Sequence, residues 1–220
     1  YSPLFAILSV VIVVSAATAE TYKSPVSVMA SQDGATLYVC AYTANQVLAV
    51  DVASQTVKNT FDLAAPPSGI TAHPSGSPLF VTGDTPQGKV FALSTDGTVL
   101  YELAVGHSPV APTISADGNI LFVCNRFDNT VSIIDLASKT ETARVSVARE
   151  PIALALTPDG QKLFVANQLP TGKADGDYIA SKVSVSDVAA KQVTSTTALP
   201  NGRSRLRGTS TYPADPPAYV

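Results

Sequence analysis

An apolar triplet recurs four times at an interval of 42 residues: Leu37-Tyr38-Val39, Leu79-Phe80-Val81, Leu121-Phe122-Val123 and Leu163-Phe164-Val165. A turn pair precedes each triplet: Asp33-Gly34, Ser75-Gly76, Asp117-Gly118 and Asp159-Gly160. Pro25, Pro67, Pro109 and Pro151 keep the same interval upstream of those pairs. Each triplet is followed by an alternating stretch, Val47–Asp51, Val90–Ser94, Val131–Asp135 and Val183–Asp187, which ends in Asp three times in four. Short apolar runs bounded by turn residues predict β-strands. Asp-Gly between two such runs predicts a tight hairpin, because glycine takes positive φ at no steric cost. Ala-Ser-Gln, Ala-Ser-Lys and Ala-Ala-Lys, at 53–55, 137–139 and 189–191, predict a further turn in each unit. An outer strand, for example Thr142–Val147, then closes it.

Four antiparallel strands in about 40–45 residues make one blade of a β-propeller. The fold class expected is therefore all-β, with four complete four-stranded blades at about 25–66, 67–108, 109–150 and 151–205. A fifth is expected to begin at 206. Tyr212-Pro213-Ala214-Asp215 stands where Thr157-Pro158-Asp159-Gly160 stands in blade four, and Ala218-Tyr219-Val220 echoes Leu163-Phe164-Val165. The chain has no Trp, so the Trp-Asp signature of one propeller class is absent.

The run Pro…Pro-Asp-Gly…Leu-Phe-Val-Ala-Asn…Val-Ser-Val-x-Asp over residues 151–187 resembles the YVTN-type propeller repeat. The tetrads that match Tyr-Val-Thr-Asn are Tyr38–Ala41, Phe80–Gly83, Phe122–Asn125 and Phe164–Asn167. The likeness extends from Pro25 to about Leu199. Members of this class resemble the heavy-chain propeller of quinoprotein amine dehydrogenases, surface-layer propellers and bacterial lactonases. The resemblance implies a ring of seven blades. Such a ring needs about 290 residues at this period, more than the 220 present, so the chain reads as a fragment of one.

Leu4 to Val14 is apolar except for Ser9, and Ala17-Thr18-Ala19 fits an A-x-A cleavage pattern. This predicts the core and exit of a secretory signal peptide over 1–19, truncated at its N-terminus, with Glu20 the first mature residue. The run is too short for the ~20 residues of a spanning helix, so no membrane span is expected after cleavage. Export to the periplasm, the cell surface or the medium follows. The charge balance adds an exclusion. Charged residues are 14% of the chain and the net charge is -3, which leaves no basic patch to supply affinity for nucleic acid. Hydrophobic residues at 45% allow a substantial core and exclude a disordered chain.

Cys40 and Cys124 fall in the same strand slot two blades apart. A disulfide needs Cα atoms within about 7 Å, so both are expected as buried thiols. No Cys-x-x-Cys-His, Gly-x-Ser-x-Gly, Walker loop or zinc pattern occurs, and no cofactor is expected within these residues.

The loops that lead into each inner strand share a face with those joining second and third strands. On that face lie His107, Arg149, Glu150, Arg126 and Arg203, with Arg205 nearby. It also carries Gln168 to Lys182, about ten residues longer than its blade-three counterpart, with Asp175, Asp177 and Tyr178. The incomplete Asp-x-Asp pattern there does not make a calcium loop. Insertions on one face of a repeat array mark binding, so these residues are the candidates for an unknown small ligand or protein partner. His107 is expected near the mouth of the central channel. His73, placed against Ala116 and Pro158, is read as structural. Asp51, Asp135 and Asp187 are expected to hold turns through backbone N–H groups.

These residues predict a non-catalytic binding scaffold. The resemblance implies two alternatives: the propeller part of a periplasmic oxidoreductase whose haem or quinone domain lies elsewhere, or a lactonase-like hydrolase.

Overall fold

The computed structural model describes residues 22–170 and 180–200. They form four antiparallel sheets, each built from consecutive strands. Blade one holds β1 (Pro25–Ala30), β2 (Thr36–Ala41), β3 (Gln46–Asp51) and β4 (Thr56–Asp62). Blade two holds β5 (Pro67–Ala72), β6 (Leu79–Gly83), β7 (Lys89–Leu93) and β8 (Val99–Ala104). Blade three holds β9 (Pro109–Ile114), β10 (Ile120–Asn125), β11 (Thr130–Asp135) and β12 (Thr140–Ser146). Blade four holds β13 (Pro151–Leu156), β14 (Lys162–Asn167), β15 (Lys182–Asp187) and β16 (Gln192–Ala198). The chain is a β-propeller in its described part. The outer strand of blade three starts two residues earlier than the sequence suggests, because Thr140 pairs with Asp135 directly across the turn. The expected signal peptide and fifth blade lie outside the described residues.

The apolar triplets read as continuous rather than alternating because the second strand of each blade is covered on both faces. Leu and Val point one way and the aromatic the other. Tyr38, Cys40 and Phe61 pack with Leu79, Val81 and Leu93 of blade two. Phe80, Val90 and Leu103 pack with Leu121, Val123 and Ile134 of blade three. Phe122, Val131 and Val145 pack with Leu154, Leu163 and Val165 of blade four. On the far face of blade four, Ala166 and Val183 carry partly buried Phe164 and Leu199. On the far face of blade one, Leu37 and Val39 are half-buried and Val28 is 62% exposed. Cys40 and Cys124 are buried free thiols. Burial pushes the Cys40 thiol up to about 12 and raises Cys124 as well, which keeps both unreactive near neutral pH.

The turns repeat their chemistry. Gly34, Gly76, Gly118 and Gly160 all have φ between 70° and 90°. Asp33, Asp117 and Asp159 accept the hydroxyls of Ser31, Ser115 and Thr157 and the N–H two residues on. In blade two that hydroxyl is replaced by His73, whose Nδ1 accepts the Ser75 N–H at 3.1 Å. His73 is thus structural, but it fills the slot of Ser115 and Thr157, one residue before the position assigned from the sequence. The Gly76 N–H bonds the His73 carbonyl as Gly118 bonds Ser115 and Gly160 bonds Thr157. At the other turn, Asp51, Asp135 and Asp187 accept the N–H of Ser54, Ser138 and Ala190 at 2.6–2.7 Å.

These bonds lower the carboxyls of five turn aspartates. Hydroxyl donation is the largest cause for Asp33, Asp117 and Asp159, Lys58 for Asp51, and the Ser138 N–H for Asp135. A folded-state pKa below the unfolded one stabilises the fold above the ordinary aspartate pKa of about 3.9 and is lost as pH falls through the lower value. The melting temperature should therefore drop as pH falls below that range. Asp135→Ala should lower it modestly at neutral pH and weaken its acid dependence, with ligand or partner binding unchanged. A binding defect in folded Asp135→Ala protein would remove the structural assignment.

Two buried side-chain atoms, Asn167 Oδ1 and Ser186 Oγ, have no hydrogen-bond partner among the described residues. Ser186 takes the slot that Ile134 fills in blade three. An unsatisfied buried hydroxyl costs more than it contributes. Ser186→Ala should raise stability by about 1 kcal/mol, read from urea midpoints.

Candidate functional site

Each blade meets the loop face through the same backbone device. The carbonyls of Ser24, Pro66, Ser108 and Glu150 accept the N–H groups of Tyr42, Asp84, Arg126 and Gln168 at 2.8–3.2 Å. Ser24, Ser108 and Glu150 hold φ at 34°, 50° and 53°, a left-handed conformation uncommon outside glycine. Proline cannot adopt it, so blade two reaches the same bond by another path. The loop pairing thus brings together the two loop sets that the sequence assigns to one face.

The four residues so presented form a second series at the 42-residue interval, each with different chemistry. The Tyr42 hydroxyl donates to Asp84 Oδ2 at 2.8 Å. This bond raises the Tyr42 hydroxyl pKa, with burial, while the charge of Arg126 lowers it. Arg126 donates to Glu150 Oε2 from Nε at 3.2 Å and from Nη2 at 3.0 Å. Its Nη2 also reaches Gln168 Oε1 at 3.4 Å. Asn129 Oδ1 accepts the Glu150 N–H at 2.8 Å, which fixes that residue from blade three.

Arg126 and Gln168 sit at one side of a cavity of about 350 Å³ walled by the inner strands of all four blades. Val26, Ile70, Val110 and Ile152 supply apolar surface to it, and Ser27 and Ser68 supply hydroxyls. Ser68 Oγ is turned to the wall, where it donates to the Pro109 carbonyl at 2.5 Å. Ala111 and Pro112 approach Gly69 so closely that a Cβ there would lie 2.6 Å from Pro112 Cδ.

Of the sequence candidates, Arg126 and Glu150 are brought together as an ion pair, and Arg126 lines this cavity. His107 is not at the channel. It lines a separate cavity of about 440 Å³ between blades two and three, with Lys89, Asp128 and Arg144. The cause is local: Asp128 Oδ2 accepts the His107 N–H at 2.8 Å, and the ring packs edge-on to Phe127 at 5.1 Å. Arg149 is exposed, and its carbonyl accepts the Leu169 N–H at 3.4 Å. Asp175, Asp177, Tyr178, Arg203 and Arg205 lie outside the described residues. Tyr42 and Asp84 are not among the sequence candidates, and Gln168 enters there only as the first residue of the Gln168–Lys182 insertion. Their common interval with Arg126 was the available signal.

Among the described residues, no group of three or more His, Cys, Asp or Glu is placed to hold a metal ion. Nor is any helix among them long and apolar enough to cross a membrane.

Comparison with known proteins agrees with this architecture. Residues 99–195 match the family model of the YNCE-like beta-propeller. No curated protein matches the sequence. Among solved structures, Kuenenia stuttgartiensis hydrazine synthase is similar, with a TM-score of 0.73 and 21% identity over 86% of this chain. The chain spans 52% of the length of that one. The repeat residues, the four sheets and these matches lead to one conclusion: the chain has a β-propeller fold, and its residues 99–195 match the YNCE-like model.

Proposed function

We propose that the chain is an exported binding scaffold whose ligand or partner sits on the loop face, around Arg126, Glu150 and Gln168. One observation carries this proposal. A repeated backbone device presents four chemically different side chains, Tyr42, Asp84, Arg126 and Gln168, whereas the opposite turns repeat one Ser/Thr–Asp arrangement in three blades. Varied chemistry on a constant frame is how rigid scaffolds carry recognition. The test uses the full chain in two folded variants: Arg126→Ala with Phe127→Ala and Arg149→Ala, and Gln32→Ala with Asn119→Ala and Gln161→Ala. Loss of partner binding only in the first supports the loop face. Loss only in the second places recognition on the turns.

The alternative is the propeller part of a periplasmic oxidoreductase. The likeness to hydrazine synthase favours it, as does the class the repeat resembles. A haem or quinone absorbance band in the purified full-length gene product would decide for it.

A further inference from the structure

We propose that the cavity beside Arg126 binds a small monocarboxylate with an apolar body, with Arg126 as the group that recognises the anion. This rests on the loop-face proposal above and names its ligand class. The volume of about 350 Å³ is that of a small-molecule site, and such sites combine apolar walls with a few placed polar groups. Val26, Ile70, Val110, Pro112 and Ile152 form the apolar walls.

The donors left over at its side set the chemistry. Glu150 uses one oxygen, Oε2, to accept both Arg126 Nε and Nη2. Gln168 accepts Nη2 weakly through Oε1. Neither Arg126 Nη1 nor Gln168 Nε2 donates to any described residue, so N–H groups on two neighbouring side chains remain for an acceptor. A guanidinium matches a carboxylate in shape as well as charge. Glu150 leaves the pair near neutrality, which disfavours a dianion and leaves room for one negative charge.

Glu150 must also compete with the ligand, and this gives the proposal its sharpest consequence. Calorimetric titration of the full chain would use benzoate, with benzyl alcohol and benzylamine as neutral and cationic analogues. Benzoate should bind and the other two should not at the same concentration. Arg126→Gln should weaken benzoate by about tenfold or more, the weight of a hydrogen bond to a charged group. Arg126→Lys should fall between that variant and the parent. Glu150→Gln should tighten binding several-fold, whereas a purely structural Glu150 would weaken it when removed. Circular dichroism confirms that each variant is folded.

Preference for benzylamine, or benzoate affinity unchanged by Arg126→Gln, would overturn the assignment. So would absence of benzoate binding. If partner binding still maps to the loop face in that case, the ligand class alone is wrong. If partner binding maps to the turn face, the site itself is wrong.

Discussion

Phe80→Ala and Phe122→Ala should each destabilise the protein by about 3–5 kcal/mol, the cost of emptying a tightly packed aromatic site. Phe164→Ala, at the equivalent position, should cost clearly less. All three side chains leave the second strand of a blade in the same direction. Phe80 and Phe122 are 1% and 0% exposed because the following blade covers them. Phe164 is only partly buried, against Ala166 and Val183. The local strand geometry repeats, so among the described residues the three rings differ in what packs on them. Urea unfolding followed by circular dichroism measures the losses, compared at the midpoint with the slope held constant. Equal losses in all three variants would mean that the aromatic stabilises its own sheet and contributes little to the joint between blades.

Gly88→Ala is the second large effect, expected at about 3 kcal/mol or more. Here the obstacle is backbone, which cannot rotate away. A Cβ on Gly88 would overlap the carbonyl oxygen of Gly106 and lie 2.8 Å from Pro109 Cδ. Gly106 is itself confined, since a Cβ there would lie 2.6 Å from Asn125 Cγ. Its N–H donates to Asn125 Oδ1 at 2.9 Å, and the Asn125 amide continues to Ser132 Oγ at 2.8 Å. A methyl group at Gly88 would therefore push on a buried polar chain that spans two blades. A variant as stable as the parent would show that the 84–88 loop shifts freely. By contrast Gly34→Ala meets no atom within 4 Å and is opposed only by its φ of 70°, so its cost should be much smaller.

Much of this architecture was legible in the chain. Leu-aromatic-Val at a constant interval gives the strand, its two-sided burial and the period together. Asp-Gly gives the turn because few residue pairs satisfy the same backbone angles. The site was legible only in part. Arg126 and Glu150 could be assigned to one face, yet their ion pair at 3.0 Å depends on how neighbouring blades are rotated, which no local pattern encodes. His107 was misplaced for the same reason. Its slot was right, but the Asp128 carboxylate and the Phe127 ring turn it toward the gap between blades. Tyr42 and Asp84 were hidden because the interval repeats a position there without repeating a residue type.

The alternation in each second strand has a further consequence. At the three joints among the described residues, Leu and Val face the preceding blade and the aromatic faces the following one, so no face there packs against its own kind. Such a head-to-tail joint has a direction. Excising one 42-residue unit, for instance 67–108, would leave Tyr38 opposite Leu121, the same kind of pair that Tyr38 now makes with Leu79. Duplicating a unit would likewise give every new blade a matching face on both sides. Blade number can thus change by tandem gain or loss of whole units without any new interface having to be invented, while each loop at the rim remains free to diverge.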